Sequence, residues 1–189
     1  MGIELLGGRI LAPYFGSSVH IWGSIITVFM LSLSLGYLFG GKLSTRSASL
    51  ATYGIIFFIA AIALLPIALS SQWLMEVIFI NVEDSRYGSL LASMALFFIP
   101  TVILGMLSPY SVRLLVKSSN ESGEIAGKLY FISTLGSALG TITTSFYLVL
   151  WFDINIIIFG FAATLASLGL LAILINKTSR AHKVEKTHG

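Results

Sequence analysis

The chain has 189 residues, of which 56% are hydrophobic and only 10% are charged, and its mean hydropathy is +0.94. An ordinary soluble domain is about 25% charged, so this composition excludes a water-soluble fold and indicates an integral membrane protein. The net charge of +3 comes from basic residues between apolar stretches, which argues against nucleic-acid binding. Cysteine is absent, so disulfides and thiolate metal sites are excluded.

The first apolar segment, residues 1–13, is short for a membrane span. Its twelve residues before Pro13 would extend about 18 Å as a helix, whereas the hydrocarbon core of a bilayer is about 30 Å thick. Two interpretations are open. The segment is a half-span or re-entrant helix, or it is a first helix whose upstream residues are missing from this sequence, which we favour.

Five longer segments contain no Asp, Glu, Lys or Arg, and a spanning helix needs about 20 mostly apolar residues. They are residues 19–41, 50–69, 87–112, 129–152 and 154–176. Asp153 alone separates the last two, as in a tight hairpin. Together with the first segment they predict an all-α fold, a polytopic transmembrane bundle of about six helices over residues 1–176. A basic tail, residues 177–189, follows.

Residues 70–86 connect two of these spans and place apolar side chains at helical spacing. These side chains are Trp73, Leu74, Val77 and Ile78. The pattern predicts a short helix that lies on the outer membrane surface, with Trp73 at the interface. The alternative is that the helix over residues 50–69 simply continues through this segment.

Nine lysines and arginines fall on one side of the predicted membrane, whereas Arg86 lies on the other side beside acidic residues. The nine are Lys42, Arg46, Arg113, Lys117, Lys128, Lys177, Arg180, Lys183 and Lys186. Because cytoplasmic segments carry an excess of Lys and Arg, we expect a multi-pass protein of the cell membrane with both termini in the cytoplasm. Glycosylation sequons at Asn120 and Asn176 would face the cytoplasm, so we discount them.

Two predicted helices carry small residues one turn apart, a pattern that allows close helix packing in lipid. One has Ser32, Gly36 and Gly40, and the other has Ser133, Gly136, Ser137 and Gly140. We expect these two ridges to pack against each other.

Gly36, Gly41 and Lys42 also match part of a phosphate-binding loop. However, Leu43 stands where Ser or Thr should bind magnesium, and a transmembrane helix precedes the motif instead of a strand. Nucleotide binding is therefore the weaker interpretation, and Lys42 is expected at the cytoplasmic interface.

Glu4 and Arg9 are the charged residues of the first predicted helix. An ionisable group at the bilayer centre costs at least about 2.5–3.5 kcal/mol, so it marks a functional site by default. The two residues lie about 140° apart around a helix, too far for a direct pair. Each needs a partner, for which Tyr14, His20, Tyr37 and helix-end carbonyls are candidates. The alternative is a structural polar pair that fixes the first helix to its neighbours.

His20 is expected at the membrane interface rather than in a metal or proton site, because the other two histidines lie in the tail. The sequence shows no metal-ligand cluster, no Ser-His-Asp set and no paired carboxylates. We therefore expect no catalytic residue, no metal and no cofactor.

Three segments closely resemble the membrane domain of the spermidine synthase-like membrane proteins, in which a major-facilitator-like part is fused to a spermidine synthase. They are IELLGGRILAPYFGSSVHIWGSIITVFMLSLSLGYLFGGKLS (3–44), LGMLSPYSVRLL (104–115) and GKLYFISTLGSALGTITTSFYLV (127–149). The pattern E-x-x-x-x-R-x-L-A-P-Y-F-G-S-S, which begins at Glu4, is the most specific. In the family this glutamate lies well inside the first helix, which supports an incomplete start. The family's Gly-rich nucleoside-binding turn and catalytic acid are absent here.

The resemblance implies a half-major-facilitator-like membrane module that anchors or assists a separate soluble aminopropyltransferase, and that binds or moves polyamine-like cations. Glu4 would be the counter-charge, and the hypothetical ligand-binding set is Glu4, Arg9, Tyr14, His20, Tyr37 and Tyr130. One alternative is a small secondary transporter that works as a homodimer. Another is a purely structural protein of the lipid bilayer. An enzyme acting alone is the weakest hypothesis.

Overall fold

The computed structural model of the protein describes residues 1–46, 48–116 and 122–185. Within these ranges the chain forms six helices and no strand, which confirms the all-α helix bundle. The helices are α1 (Gly2–Phe15), α2 (Val19–Arg46), α3 (Leu50–Asn81), α4 (Ser85–Leu115), α5 (Ser122–Trp151) and α6 (Ile154–Glu185). In their described parts, α2 to α6 are long and apolar enough to cross a membrane, so this is a multi-pass membrane protein.

The segment after residue 69 belongs to α3 as far as Asn81, so the prediction of a separate surface helix over residues 70–86 is wrong. The alternative, a continuation of the preceding helix, is correct up to Asn81. Helix α3 runs unbroken to Asn81. The polar residues do not interrupt it, because the Ser70 hydroxyl donates to the Pro66 carbonyl at 2.6 Å and stays within the helix. Helix α4 then begins after Asp84, whose Oδ1 accepts from the Arg86 backbone N–H at 2.8 Å.

Helices α2 and α4 approach each other so closely that only glycine fits between them. A Cβ added to Gly36 would lie 2.8 Å from the Gly105 Cα, and one added to Gly40 would lie 2.6 Å from the Met106 Cα. Ser32 is fully buried, and its hydroxyl donates to the Val28 carbonyl at 2.6 Å. The Ser32, Gly36 and Gly40 ridge therefore lies in the α2–α4 contact.

Helix α3 contacts α6 through a second pair of glycines. A Cβ on Gly54 would lie 2.6 Å from the Gly169 carbonyl oxygen, and a Cβ on Gly169 would lie 2.8 Å from the Gly54 carbonyl oxygen. Helix α3 also contacts α4, where the rings of Tyr53 and Tyr110 stack at 5.9 Å. The resulting order of adjacent helices is α2–α4–α3–α6.

Helix α1 fills the middle of this arrangement. Its buried side chains Leu6, Ile10, Leu11 and Phe15 join one hydrophobic core with residues of α2, α3, α4 and α6. Phe15 at the end of α1 contacts the ring of Phe79 near the end of α3, with centroids 6.0 Å apart. Residues 16–18, 82–84 and 152–153 thus lie at one end of the bundle, here called the hairpin end. The opposite end, with residues 48–49 and 116, is called the tail end.

Helix α5 is the least packed of the six. None of the residues Ser122–Thr143 is buried, and a Cβ added to Gly136 or Gly140 would meet nothing within 4 Å. The expected packing of this ridge against the helix with Gly36 and Gly40 is therefore wrong. The two ridges do not pack against each other because α4 already occupies the small-residue face of α2.

Candidate functional site

An open cleft of about 590 Å³ lies at the hairpin end between α1, α3 and α6. We call it the α1–α3–α6 cleft. Its lining residues are Arg9, Ile10, Pro13 and Tyr14 from α1, Ser71, Gln72 and Met75 from α3, and Asp153, Ile154, Asn155 and Ile156 at the start of α6. Full charges and amide groups from three helices that are distant in the sequence thus meet around one space.

Arg9 reaches this cleft because the other face of α1 is buried. Leu6 and Leu11 are fully buried, and Arg9 points away from that core and is exposed. One guanidinium nitrogen, Nη1, donates to the Val149 carbonyl oxygen at 3.1 Å. Val149 belongs to the last turn of α5, where carbonyls lack helical partners. A guanidinium has five N–H donors, so most of its donors stay available.

Asp153 connects α5 to α6 and is exposed to the cleft. Its backbone carbonyl accepts from the Ile157 N–H at 3.1 Å, in the first turn of α6. Its carboxylate has no hydrogen bond or ion pair with any residue in the described ranges. Asp84 differs, since its carboxylate caps α4. The Asp153 carboxylate is therefore free to bind a solute.

Arg9 and Asp153 share the cleft without forming an ion pair within 4.0 Å. In the described part of the chain the salt bridge that does form is Lys128–Glu124, at 2.6 Å, within the first turns of α5. Opposite charges therefore border the same cleft without neutralising each other.

Two amide side chains add hydrogen-bonding capacity to the same cleft. Gln72 and Asn155 line it, and neither amide group bonds to another side chain or backbone group that the structure describes. Neither amide side chain was predicted from the sequence to bind a ligand, and nor was Asp153. The available signal was Asp153, because it is the one charge between two long apolar spans.

The structure does not gather the six residues of the hypothetical ligand-binding set. Arg9 and Tyr14 line the α1–α3–α6 cleft, and the Tyr14 ring lies edge-on to Phe79 at 6.2 Å. Four others, namely Glu4, His20, Tyr37 and Tyr130, do not line it.

Each of these four occupies a separate position. Glu4 is half-buried in the first turn of α1 and makes no hydrogen bond or ion pair with a described residue. His20 is exposed at the start of α2. Tyr37 and Tyr130 are exposed on α2 and α5. The candidate set is therefore dispersed over the bundle.

The ridge of small residues on α5 lines a second, more apolar cleft of about 760 Å³ between α5, α6 and the start of α1. Ser133, Gly136, Ser137 and Gly140 all border this space. Beyond them, α5 passes through a π-helical turn over Thr144–Leu148. These small residues face the cleft instead of a neighbouring helix.

The described residues contain no group of three His, Asp or Glu side chains that could hold a metal ion. Gly36, Gly41 and Lys42 lie within the continuous helix α2, so they form no phosphate-binding loop.

No family model, curated protein or solved structure matches this chain. Its fold and cleft define a class, a multi-pass α-helical membrane protein with a charged cleft at one end of the bundle. The half-major-facilitator fold and the spermidine synthase-like family stay predictions from the sequence.

Proposed function

We propose that this protein is a membrane module that binds a small charged solute in the α1–α3–α6 cleft. The observation that carries the proposal is the placement of Arg9 and Asp153, unpaired and of opposite charge, around one cleft of a highly apolar chain. Arg9 lies in a helix of the bundle, and an ionisable residue at membrane depth marks a functional site by default. Asp153 lies in the exposed connection between α5 and α6. The cleft volume also falls within the range of about 300–1,000 Å³ that ligand sites occupy.

The proposed orientation puts this cleft on the outer side of the cell membrane. At the tail end lie the exposed cations Lys42, Arg113, Lys128 and Lys177. At the hairpin end Arg86 is accompanied by Glu83 and Asp84. The positive-inside rule therefore supports a cytoplasmic tail end and cytoplasmic termini.

The family resemblance supports a polyamine as one class of solute. However, the residue that would bind it in the cleft differs from the one that the resemblance implies. Asp153, not Glu4, is the carboxylate of the cleft. Arg9 would repel a polycation there. Movement of the solute across the membrane would further require a path, which in a half-facilitator needs a second copy.

Anchoring of a soluble aminopropyltransferase is the second candidate function, and the cationic tail end is the feature that favours it. Lys42, Arg113, Lys128 and Lys177 would attract an acidic surface on the cytoplasmic side. Co-purification of such a partner, lost when Lys128 and Lys177 are replaced by Gln, is the matching test.

A thermal-shift screen of the detergent-purified protein tests the first proposal. The panel contains spermidine, putrescine, neutral amino acids and simple carboxylates. At least one class is expected to raise the melting temperature of the wild-type protein, and the rise is expected to vanish in the Arg9→Gln/Asp153→Asn double variant. Glu83→Gln/Arg113→Gln is the matched control, since both residues are exposed and do not line the cleft. No shift with any solute, or the same shift in the double variant, contradicts the proposal.

A further inference from the structure

The geometry points to an amphoteric solute as the ligand of the α1–α3–α6 cleft, one whose carboxylate binds Arg9 and whose ammonium group binds Asp153. This inference rests on the proposed function and names its class of solute. It comes from the arrangement of charges, the amide groups beside them and the apolar remainder of the lining.

The two charges select against ligands that carry charge of a single sign. Arg9 would attract a simple carboxylate, but Asp153 would repel it. Asp153 would attract a polyamine, but Arg9 would repel it. Because Arg9 and Asp153 do not pair with each other, binding breaks no ion pair between them. A ligand with both charges satisfies both side chains at once.

The two side chains that border the cleft have opposite charges. An arginine is effectively always protonated in proteins. Asp153 directly precedes the first turn of α6, where the helix dipole favours a negative charge. The cleft is therefore bordered by one cationic and one anionic side chain.

The rest of the lining fits an apolar body of moderate size. Ile10 and Met75 are buried residues of the lining, and Ile154 and Ile156 border the cleft from α6. Gln72 offers both a donor and an acceptor to orient the polar end of the ligand. A branched aliphatic amino acid combines these features, and L-leucine is the probe that matches them.

The experiment compares L-leucine with its two single-charge analogues, isocaproate, which lacks the ammonium group, and isoamylamine, which lacks the carboxylate. Binding to the full chain in nanodiscs is measured by titration calorimetry. L-leucine is expected to bind at least about tenfold tighter than either analogue, since each missing charged hydrogen bond weakens binding by about that factor or more.

Single substitutions test which side chain binds which charged group of the ligand. Arg9→Gln is expected to weaken the binding of L-leucine and isocaproate and to strengthen that of isoamylamine, whose ammonium group Arg9 repels. Asp153→Asn is expected to weaken the binding of L-leucine and isoamylamine and to strengthen that of isocaproate, whose carboxylate Asp153 repels. Arg9→Lys keeps the positive charge and is expected to restore part of the binding, which a loss of folding would not allow. Glu83→Gln, an exposed carboxylate outside the cleft, is the control that leaves all three affinities unchanged.

The outcomes separate this inference from the proposed function. If spermidine or isoamylamine binds the wild-type protein tighter than L-leucine does, the cleft binds a solute but the amphoteric class is wrong. Equal binding of L-leucine and both analogues, unaffected by either variant, also overturns the inference. If no solute of any class binds, the inference and the proposed function both fail.

Discussion

Arg9 on α1 donates a hydrogen bond from Nη1 to the backbone carbonyl oxygen of Val149 on α5, at 3.1 Å. This bond joins the central helix to the least packed helix of the bundle. It also satisfies a carbonyl in the last turn of α5, directly after the π-helical turn over Thr144–Leu148. The side chain that lines the α1–α3–α6 cleft therefore also holds α5 in place.

Removal of this bond is expected to loosen the end of α5. In Arg9→Gln, amide hydrogen exchange over residues 144–151 should become faster, because local opening is easiest where few buried contacts resist it. The loss of global stability should stay at or below about 1.5 kcal/mol, because the bond has a charged donor but is exposed to solvent. Amide hydrogen exchange of the residues in the α2–α4 contact should not change. Unaltered exchange over residues 144–151 would contradict this role of Arg9.

The two glycine ridges predict opposite responses to alanine. Gly36→Ala forces a methyl group against the backbone of α4 and should destabilise the protein by about 1–3 kcal/mol, as overpacking does. Gly136→Ala places the same group in open space and should be neutral or slightly stabilising. A titration with denaturing detergent measures the free energy of unfolding of both variants. Similar losses of stability in the two variants would disprove the assigned α2–α4 contact.

The Tyr110 hydroxyl is expected to stabilise the tail end. It accepts a hydrogen bond from the Ser49 backbone N–H at 3.1 Å, where α3 begins. Tyr110 is fully buried, so Tyr110→Phe should cost about 1 kcal/mol in the free energy of unfolding. Tyr130→Phe, on the exposed surface of α5, is the matched control and should cost nothing measurable.

The proposed orientation is testable because the chain has no cysteine of its own. Ser17→Cys places a thiol at the hairpin end, and Lys177→Cys places one near the end of α6. A membrane-impermeant maleimide applied to intact cells is expected to label the first variant, and the second only after permeabilisation. The reverse pattern would invert the topology, and labelling of both from outside would be incompatible with the bundle.

The membrane spans could be predicted from the sequence because their apolar length is a local property. The extension of α3 to Asn81 was harder to predict, since polar residues such as Ser70 bond within the helix and do not end it. The sequence does not predict which helices pack against each other. Gly36 and Gly136 both belong to ridges of small residues, although only Gly36 contacts another helix. The cleft was missed because Gln72 and Asp153 are distant in the sequence and only the helix order brings them together.

Solute binding in the α1–α3–α6 cleft can be measured by the protection of a cysteine that is placed in it. Asn155→Cys places a thiol on the cleft wall, and Ser17→Cys places a control thiol at the same end of the bundle but outside this cleft. A bound solute is expected to slow maleimide modification of Asn155→Cys in proportion to its occupancy and to leave modification of Ser17→Cys unaffected. Equal modification rates of Asn155→Cys with and without every solute of the panel would contradict solute binding in this cleft.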